Sequence, residues 1–277
     1  MIANARMYSV TPGAAALWRQ LLQTLIAKAG LSIDVVDHAA PAPIGALWQR
    51  RDKAAVLMCG LPYSLATPQP ALVAAPVPAL AEYENAACYW TDFVVRRDSA
   101  FGTLSETFGY RLALTTPESQ SGYAAPLHAL TRFDASRPLY REVVAPCITP
   151  LGALNAVIEG HAEVAPLDSY AFALLSKYAP ELTSQVRVVL STEPTPVPLF
   201  VSSGPASPKV TAAFLAAHEA PASAPLMEQL LLDRFAPPKG AAYDQLRERF
   251  LAMQAFWRRH PLAKTAHPLF AALSGRA

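Results

Sequence analysis

Ala54-Ala55-Val56-Leu57-Met58-Cys59-Gly60 is a short, wholly apolar run that stops at a glycine, and it constrains the fold more than any other stretch. A strand that is apolar at every position is buried on both faces, the condition of a parallel sheet covered by helices. The residues before it supply such a helix. Thr11-Pro12-Gly13 turns into a helical pattern with Leu17, Trp18, Leu21, Leu22, Leu25 and Ile26, closed by Gly30 as a C-cap. Leu31 to Val36 then alternates apolar and polar residues as a strand does. With Met1 to Tyr8 as a first strand, the chain opens as a βαβ unit.

The alternation continues. Ala71 to Val77 is another strand, and Ala87 to Val95 is a long β-prone run from which a second α/β module starts near residue 93. Within that module, Thr115-Thr116-Pro117-Glu118-Ser119-Gln120-Ser121-Gly122-Tyr123 follows the apolar run Arg111-Leu112-Ala113-Leu114 and precedes helical spacing at Leu127, Leu130 and Phe133. It reads as a strand, a hydroxyl-rich turn and a helix start. A helix N-terminus presents unpaired backbone N–H groups and a positive dipole end, so Ser119 and Ser121 there suit a polar or anionic ligand group. The plainer alternative is that one of them only caps the helix. A helix follows around Leu151 to Glu159, then strands at Glu163 to Asp168, Val186 to Leu190 and Leu199 to Val201. The tail reads as helices over Val210 to His218, Leu226 to Phe235 and Tyr243 to Arg259.

The order is module, module, then a return to the first. We expect residues 1–91 and 188–277 to form lobe 1, with the C-terminal helices, and residues 92–187 to form lobe 2. The crossings fall near residues 90–93 and 187–191. A length of 277 residues is ample for two cores.

Charge narrows the partners. Charged residues make up 16% and the net charge is +2, with no basic cluster interleaved with aromatics, which argues against nucleic acid. Every apolar run is broken well before about 18 residues, so no membrane span is expected. Cys59, Cys88 and Cys147 are widely spaced and form no CxxC pair, so no zinc site or disulfide framework is expected. The six histidines show no HExxH spacing, and there is no Gly-x-Ser-x-Gly elbow or phosphate-binding loop of the Walker type. No cofactor, metal or catalytic residue is expected on these grounds.

Several motifs in sequence order resemble one family. They are Tyr89-x-x-Asp92-Phe93-Val94-Val95-Arg96-x-Asp98-Ser99, Gly109-x-Arg111, Ser119-x-Ser121-Gly122-Tyr123, and Ala156-Val157-x-x-Gly160-x-Ala162-Glu163-Val164-Ala165-x-Leu167-Asp168-Ser169. From about residue 2 to about residue 201 the chain resembles the phosphate/phosphonate-binding proteins of ABC importers. The resemblance implies an α/β, two-lobed type II periplasmic-binding-protein fold, each lobe a mixed sheet flanked by helices, with a ligand cleft between and a helical C-terminal tail. It implies capture of a small anionic or zwitterionic ligand by cleft closure, a permease partner and a monomer. Members often carry a Gly-Ser-His-like segment before the second-module helix. Here Ile148-Thr149-Pro150 keeps a hydroxyl and lacks the imidazole, and Ala153 stands where a serine is common, which points to a ligand less charged than a doubly ionised phosphonate.

Ligands of open α/β sheets bind at the carboxyl ends of strands. That rule adds Tyr8, Gly60, Tyr63, Tyr89, Trp90, Phe200 and Asp168 to Ser119, Ser121, Gly122, Tyr123 and Thr149 as candidate contacts. Asp168 suits a ligand amine, with the serine turn at the anionic end; its alternative role is a cap for the helix at Ser169. For the aromatics the alternative is packing. Two other functions stay open on the same fold: an enzyme acting on a small carboxylate or pyrimidine precursor, and a cytoplasmic ligand sensor. The cysteine cluster expected of the pyrimidine-precursor enzymes is absent. The family resemblance implies the periplasm, yet Met1 to Tyr8 lacks the basic start and apolar segment of an export signal, so a cytoplasmic location stands beside it.

Overall fold

The computed structural model describes residues 1–268 and 270. The chain begins β1 (Ile2–Asn4), α1 (Pro12–Ala29), β2 (Asp34–Val35), α2 (Ile44–Trp48), β3 (Lys53–Met58), α3 (Gly60–Leu65), β4 (Ala71–Pro78) and β5 (Cys88–Tyr89). It continues β6 (Thr91–Arg96), β7 (Arg111–Ala113), α4 (Ala125–Leu130), β8 (Tyr140–Val144), α5 (Pro150–Ile158), β9 (Val164–Asp168), α6 (Ser169–Tyr178), α7 (Pro180–Thr183) and β10 (Val186–Ser191). Then come β11 (Thr195–Pro196), β12 (Leu199–Ser202), α8 (Pro208–Leu215), α9 (Ala224–Gln229), β13 (Leu232–Ala236), α10 (Asp244–Trp257) and β14 (Ala263–Ala266).

These elements form two compact units. Lobe 1 is Met1–Tyr89 with Thr195–Asp244, and lobe 2 is Trp90–Pro194 with the chain from Gln245 onward. The tail therefore divides, which corrects the expectation that all of 188–277 joins lobe 1. The physical reason is pairing: β14 lies parallel to β8, and Trp257 Nε1 donates to the Leu127 carbonyl at 2.9 Å. The chain thus passes between units three times, at 89/90, 194/195 and 244/245.

Lobe 1 holds a six-stranded sheet in the order β13-β4-β12-β3-β1-β2, with β1 parallel to β2 and β3, and with β12 and β13 antiparallel to their neighbours. β5 and β11 make a separate two-stranded ribbon. All six residues of β3 are buried, as its unbroken apolar run requires. Trp18 of α1, Phe200, Phe214 and Phe235 pack ring on ring over the sheet at centroid distances of 4.8 to 6.1 Å. α1 is capped at Thr11 and ends at Gly30, which takes the left-handed φ of 63° that favours glycine.

Lobe 2 has a six-stranded sheet in the order β10-β6-β9-β7-β8-β14. β7 runs parallel to β8 and β9, whereas β6 is antiparallel to β9 and β10 antiparallel to β6. Consequently the carboxyl ends of β7, β8, β9 and β10 and the amino end of β6 share one edge.

Some elements differ from the sequence expectation. The first strand stops at Asn4, whose Oδ1 accepts from the Arg6 N–H at 2.7 Å and turns the chain into a 3-10 turn over Arg6–Tyr8. β2 keeps two residues, an edge strand against a three-residue partner. The Leu226–Phe235 helix stops at Gln229, because Leu231 adopts a left-handed φ of 56° and the following residues pair with β4. No helix among the described residues is long and apolar enough to cross a membrane.

Candidate functional site

In lobe 2, three adjacent parallel strands each run into a helix start, and each start carries a side-chain cap. After β7 the chain turns at Ser119, whose Oγ accepts from Gly122 N–H at 2.9 Å, and winds through one π-helical turn, Gln120–Ala124, into α4. After β8, Thr149 Oγ1 accepts from Gly152 N–H at 3.0 Å at the head of α5. At the end of β9, Asp168 Oδ1 accepts from Ala171 N–H at 2.9 Å at the head of α6. The capping role anticipated for Ser119 and Asp168 is therefore present. It does not exhaust the hydroxyls of Ser119 and Thr149, since a hydroxyl that accepts still has its own hydrogen to donate. Both residues are half-buried.

The first two starts use the same device, a hydroxyl followed three residues later by a glycine. A Cβ on Gly122 would lie 2.0 Å from Thr115 Oγ1, and one on Gly152 would lie 2.1 Å from the Cys147 carbonyl oxygen. Only a residue without a side chain lets these turns close so tightly. The second turn is strained as well. Ile148 holds a left-handed φ of 61° while 41% exposed, a conformation that costs a β-branched residue about 1–2 kcal/mol.

Behind the caps lies a buried polar network. Asp168 is 4% exposed, and its Oδ2 accepts a long hydrogen bond of 3.4 Å from Ser121 Oγ. Thr91 Oγ1 donates to the Ser121 carbonyl at 3.0 Å, while the Thr91 N–H donates to Thr192 Oγ1 at 3.0 Å. Asp92 accepts from Trp90 Nε1 at 2.9 Å and from Ser191 Oγ at 2.6 Å. Ser121 thus gives its proton to a carboxylate, which alters the expectation that it faces an anion. Asp92 stood in one motif of the resemblance without a role, and Thr91, Ser191 and Thr192 carried no signal beyond being polar residues that bound the apolar runs of β6 and β10. Tyr123 is buried against Phe270 with ring centroids 5.3 Å apart, and burial pushes its phenol up to about 12. Cys147 is likewise pushed up by burial, to about 11, which leaves the thiol protonated near neutral pH.

Three of the lobe 1 candidates, Tyr8, Gly60 and Tyr63, follow the carboxyl ends of β1 and β3. Tyr8 sits in the 3-10 turn after β1, 1% exposed and stacked on Trp18 at 6.5 Å. Gly60 opens α3 directly after β3, with no side-chain cap from Cys59. Tyr63 is 2% exposed and meets Tyr243 edge-on at 5.2 Å. Tyr89 lies in the β5–β11 ribbon, 1% exposed, and its carbonyl accepts from Thr195 Oγ1 at 3.4 Å. These tyrosines are packed into lobe 1, as is Phe200 in β12.

One motif of the resemblance proves to be a clamp. Arg111 binds Glu163 by two side-chain bonds, Nη2 to Oε1 at 2.7 Å and Nε to Oε2 at 3.2 Å, and also reaches the Gly160 carbonyl at 2.8 Å. The Arg111 backbone N–H adds a bond to Glu163 Oε2 at 2.8 Å, so the start of β7 is fastened to the entry of β9. Burial pushes the Glu163 carboxyl up, but the Arg111 hydrogen bonds and charge outweigh it and hold the pKa below the usual range.

Comparison with known proteins follows the same lines. Solved structures with this fold include a binding-protein component of an ABC phosphonate transporter from Pseudomonas aeruginosa, at a TM-score of 0.76 and 16% identity over 92% of this chain and 87% of that one. PhnD1 from Prochlorococcus marinus, solved with methylphosphonate, superposes at a TM-score of 0.74 with 14% identity, covering 91% and 97%. XAC2383 from Xanthomonas citri, solved with chloride, gives 0.62 at 20% identity, covering 92% and 97%. Such likenesses show the fold. No curated protein matches the chain in sequence. Residues 15–243 do match the model of the family described as ABC transporter, phosphonate, periplasmic substrate-binding protein, and this span takes in the capped edge of lobe 2 and, in lobe 1, β3 with the start of α3; the chain is a member of that family.

Proposed function

We propose that the capped edge of lobe 2 holds a small anionic or zwitterionic ligand of the phosphonate or phosphate class, delivered from the periplasm to an ABC permease by the protein as a monomer. The carrying observation is the convergence of three capped helix starts on adjacent strands, two of them with half-buried hydroxyls. Helix N-termini favour negative charge, and Ser119 and Thr149 add neutral donors without a counter-ion. Asp168, buried and bound by Ser121, supplies the opposite polarity and suits a ligand amine. The Prochlorococcus marinus protein, solved in complex with methylphosphonate, is consistent with this class.

The test is calorimetric titration with methylphosphonate, 2-aminoethylphosphonate, phosphate and acetate. Phosphonates should bind, with the aminoalkyl compound tightest. Thr149→Ala and Ser119→Ala should each weaken both phosphonates by about fivefold or more, the range of a lost hydrogen bond to a charged group. Asp168→Asn keeps a capping oxygen and should weaken only the aminoalkyl compound. Absence of binding by every phosphonate and by phosphate would overturn the reading.

A further inference from the structure

Lobe 1 carries a half-open pocket of about 300 Å³ between the end of β1, the first turns of α1 and the segment after β2. That volume lies at the small end of ligand pockets. Its walls are fastened by side chains that reach the backbone of residues 35–43. Asn4 Nδ2 donates to the Val36 carbonyl at 2.7 Å, Arg19 Nη1 to the Val35 carbonyl at 3.3 Å, and Arg6 Nη1 to the Ala42 carbonyl. His38 Nε2 lies 2.9 Å from the Pro43 carbonyl oxygen.

The charges lining it are unequal. Arg19 is paired with Asp37, the single carboxylate among the lining residues. Arg6 is half-buried and its guanidinium has no carboxylate partner among the described residues; its side-chain bond runs to the neutral Ala42 carbonyl. Burial without a counter-charge lowers its pKa from the ordinary value. With Nη1 engaged, the Nε and Nη2 donors form the side-on fork that matches the two oxygens of a carboxylate. The apolar part of the lining is formed by Ala15, Leu22, Val35 and the buried Trp18, whose indole N–H has no acceptor among the described residues.

We propose that this cavity is a binding pocket, built wholly from lobe 1 residues and separate from the capped edge of lobe 2, for a small monocarboxylate with an apolar body. Arg6 holds the carboxylate and the alanine, leucine and tryptophan wall takes the hydrocarbon. The pocket is independent of whether lobe 2 takes phosphonates.

The probe is butyrate, compared with acetate and inorganic phosphate at constant ionic strength. Calorimetry gives affinity, and the Trp18 indole N–H resonance, assigned with Trp18→Phe, reports the site. Butyrate should bind more tightly than either comparison anion and move that resonance. Arg6→Gln, which removes the charge, and Ala15→Leu, which fills the apolar side, should each weaken butyrate about tenfold or more. Saturating methylphosphonate should leave butyrate affinity unchanged. Thermal melts establish that each variant folds, and if Arg6→Gln does not, Ala15→Leu decides. No butyrate binding, equal binding in the folded variants, phosphate binding as tight as butyrate, or displacement by methylphosphonate would each overturn it.

Discussion

In lobe 2 the turns after β7, β8 and β9 all deliver a Ser, Thr or Asp oxygen to a helix start, whereas in lobe 1 the turn after β3 enters α3 through Cys59 without a side-chain cap and is surrounded by buried tyrosines. Both edges have the same topology, parallel strands feeding helices. Their chemistry differs. Lobe 2 concentrates directional hydrogen-bonding groups over a carboxylate network, and lobe 1 concentrates rigid apolar area around α3, its polar side chains lying instead beside α1, which Thr11 caps. Topology therefore sets where a site can form, and the residue chosen at each helix start sets what the site can recognise.

The largest expected effect tests whether the lobe 2 turns depend on close approach. Gly122→Ala should destabilise lobe 2 by about 3 kcal/mol in denaturant unfolding, because the new methyl group enters the space of the Thr115 side chain and no flexible group can yield. A cost below about 1 kcal/mol would show that the turn relaxes freely and that its geometry is not specified by the glycine.

A middle-sized effect isolates the clamp beneath the capped edge. The depressed Glu163 pKa means that its ion pair stabilises the fold above the ordinary glutamate range and loses that contribution as pH falls through the lowered value. Glu163→Gln should cost about 1–2 kcal/mol at pH 7, and the gap to the parent protein should close as pH falls through the lowered carboxyl pKa. A gap that persists in acid would assign the loss to packing. The smallest effect belongs to lobe 1. Tyr63→Phe removes a hydroxyl lying 3.5 Å from Gln69 Oε1, so thermal unfolding should register about 0.5 kcal/mol or less. A loss above about 1 kcal/mol would break the contrast by revealing a polar role on the aromatic edge.

The sequence carried the two-module order because long periodic stretches such as α1 and unbroken apolar strands such as β3 bury a large area and leave a strong pattern. It did not carry β13 or β14. The first follows a short helix with no breaker beyond Leu231, whose left-handed backbone has no signature in a leucine side chain. The second has two exposed polar residues, Lys264 and Thr265, and takes its structure from pairing with β8. In the candidate site, the capping residues Ser119, Thr149 and Asp168 could be found because helix starts select few residue types. The Asp92 network could not, since Ser191 and Asp92 are 99 residues apart and only the register of β10 on β6 brings them together.

The late position of β14 also orders events during synthesis. Lobe 1 has all its residues once Asp244 has been made, but the lobe 2 sheet lacks its outer strand until residues 263–266 leave the ribosome. Until then β8 presents a bare row of amides and carbonyls in a nascent chain, the kind of surface that invites pairing with a stranger. A chain cut between Asp244 and Ala263 would keep all of lobe 1 and leave it tethered to a lobe 2 whose β8 edge is bare and adhesive.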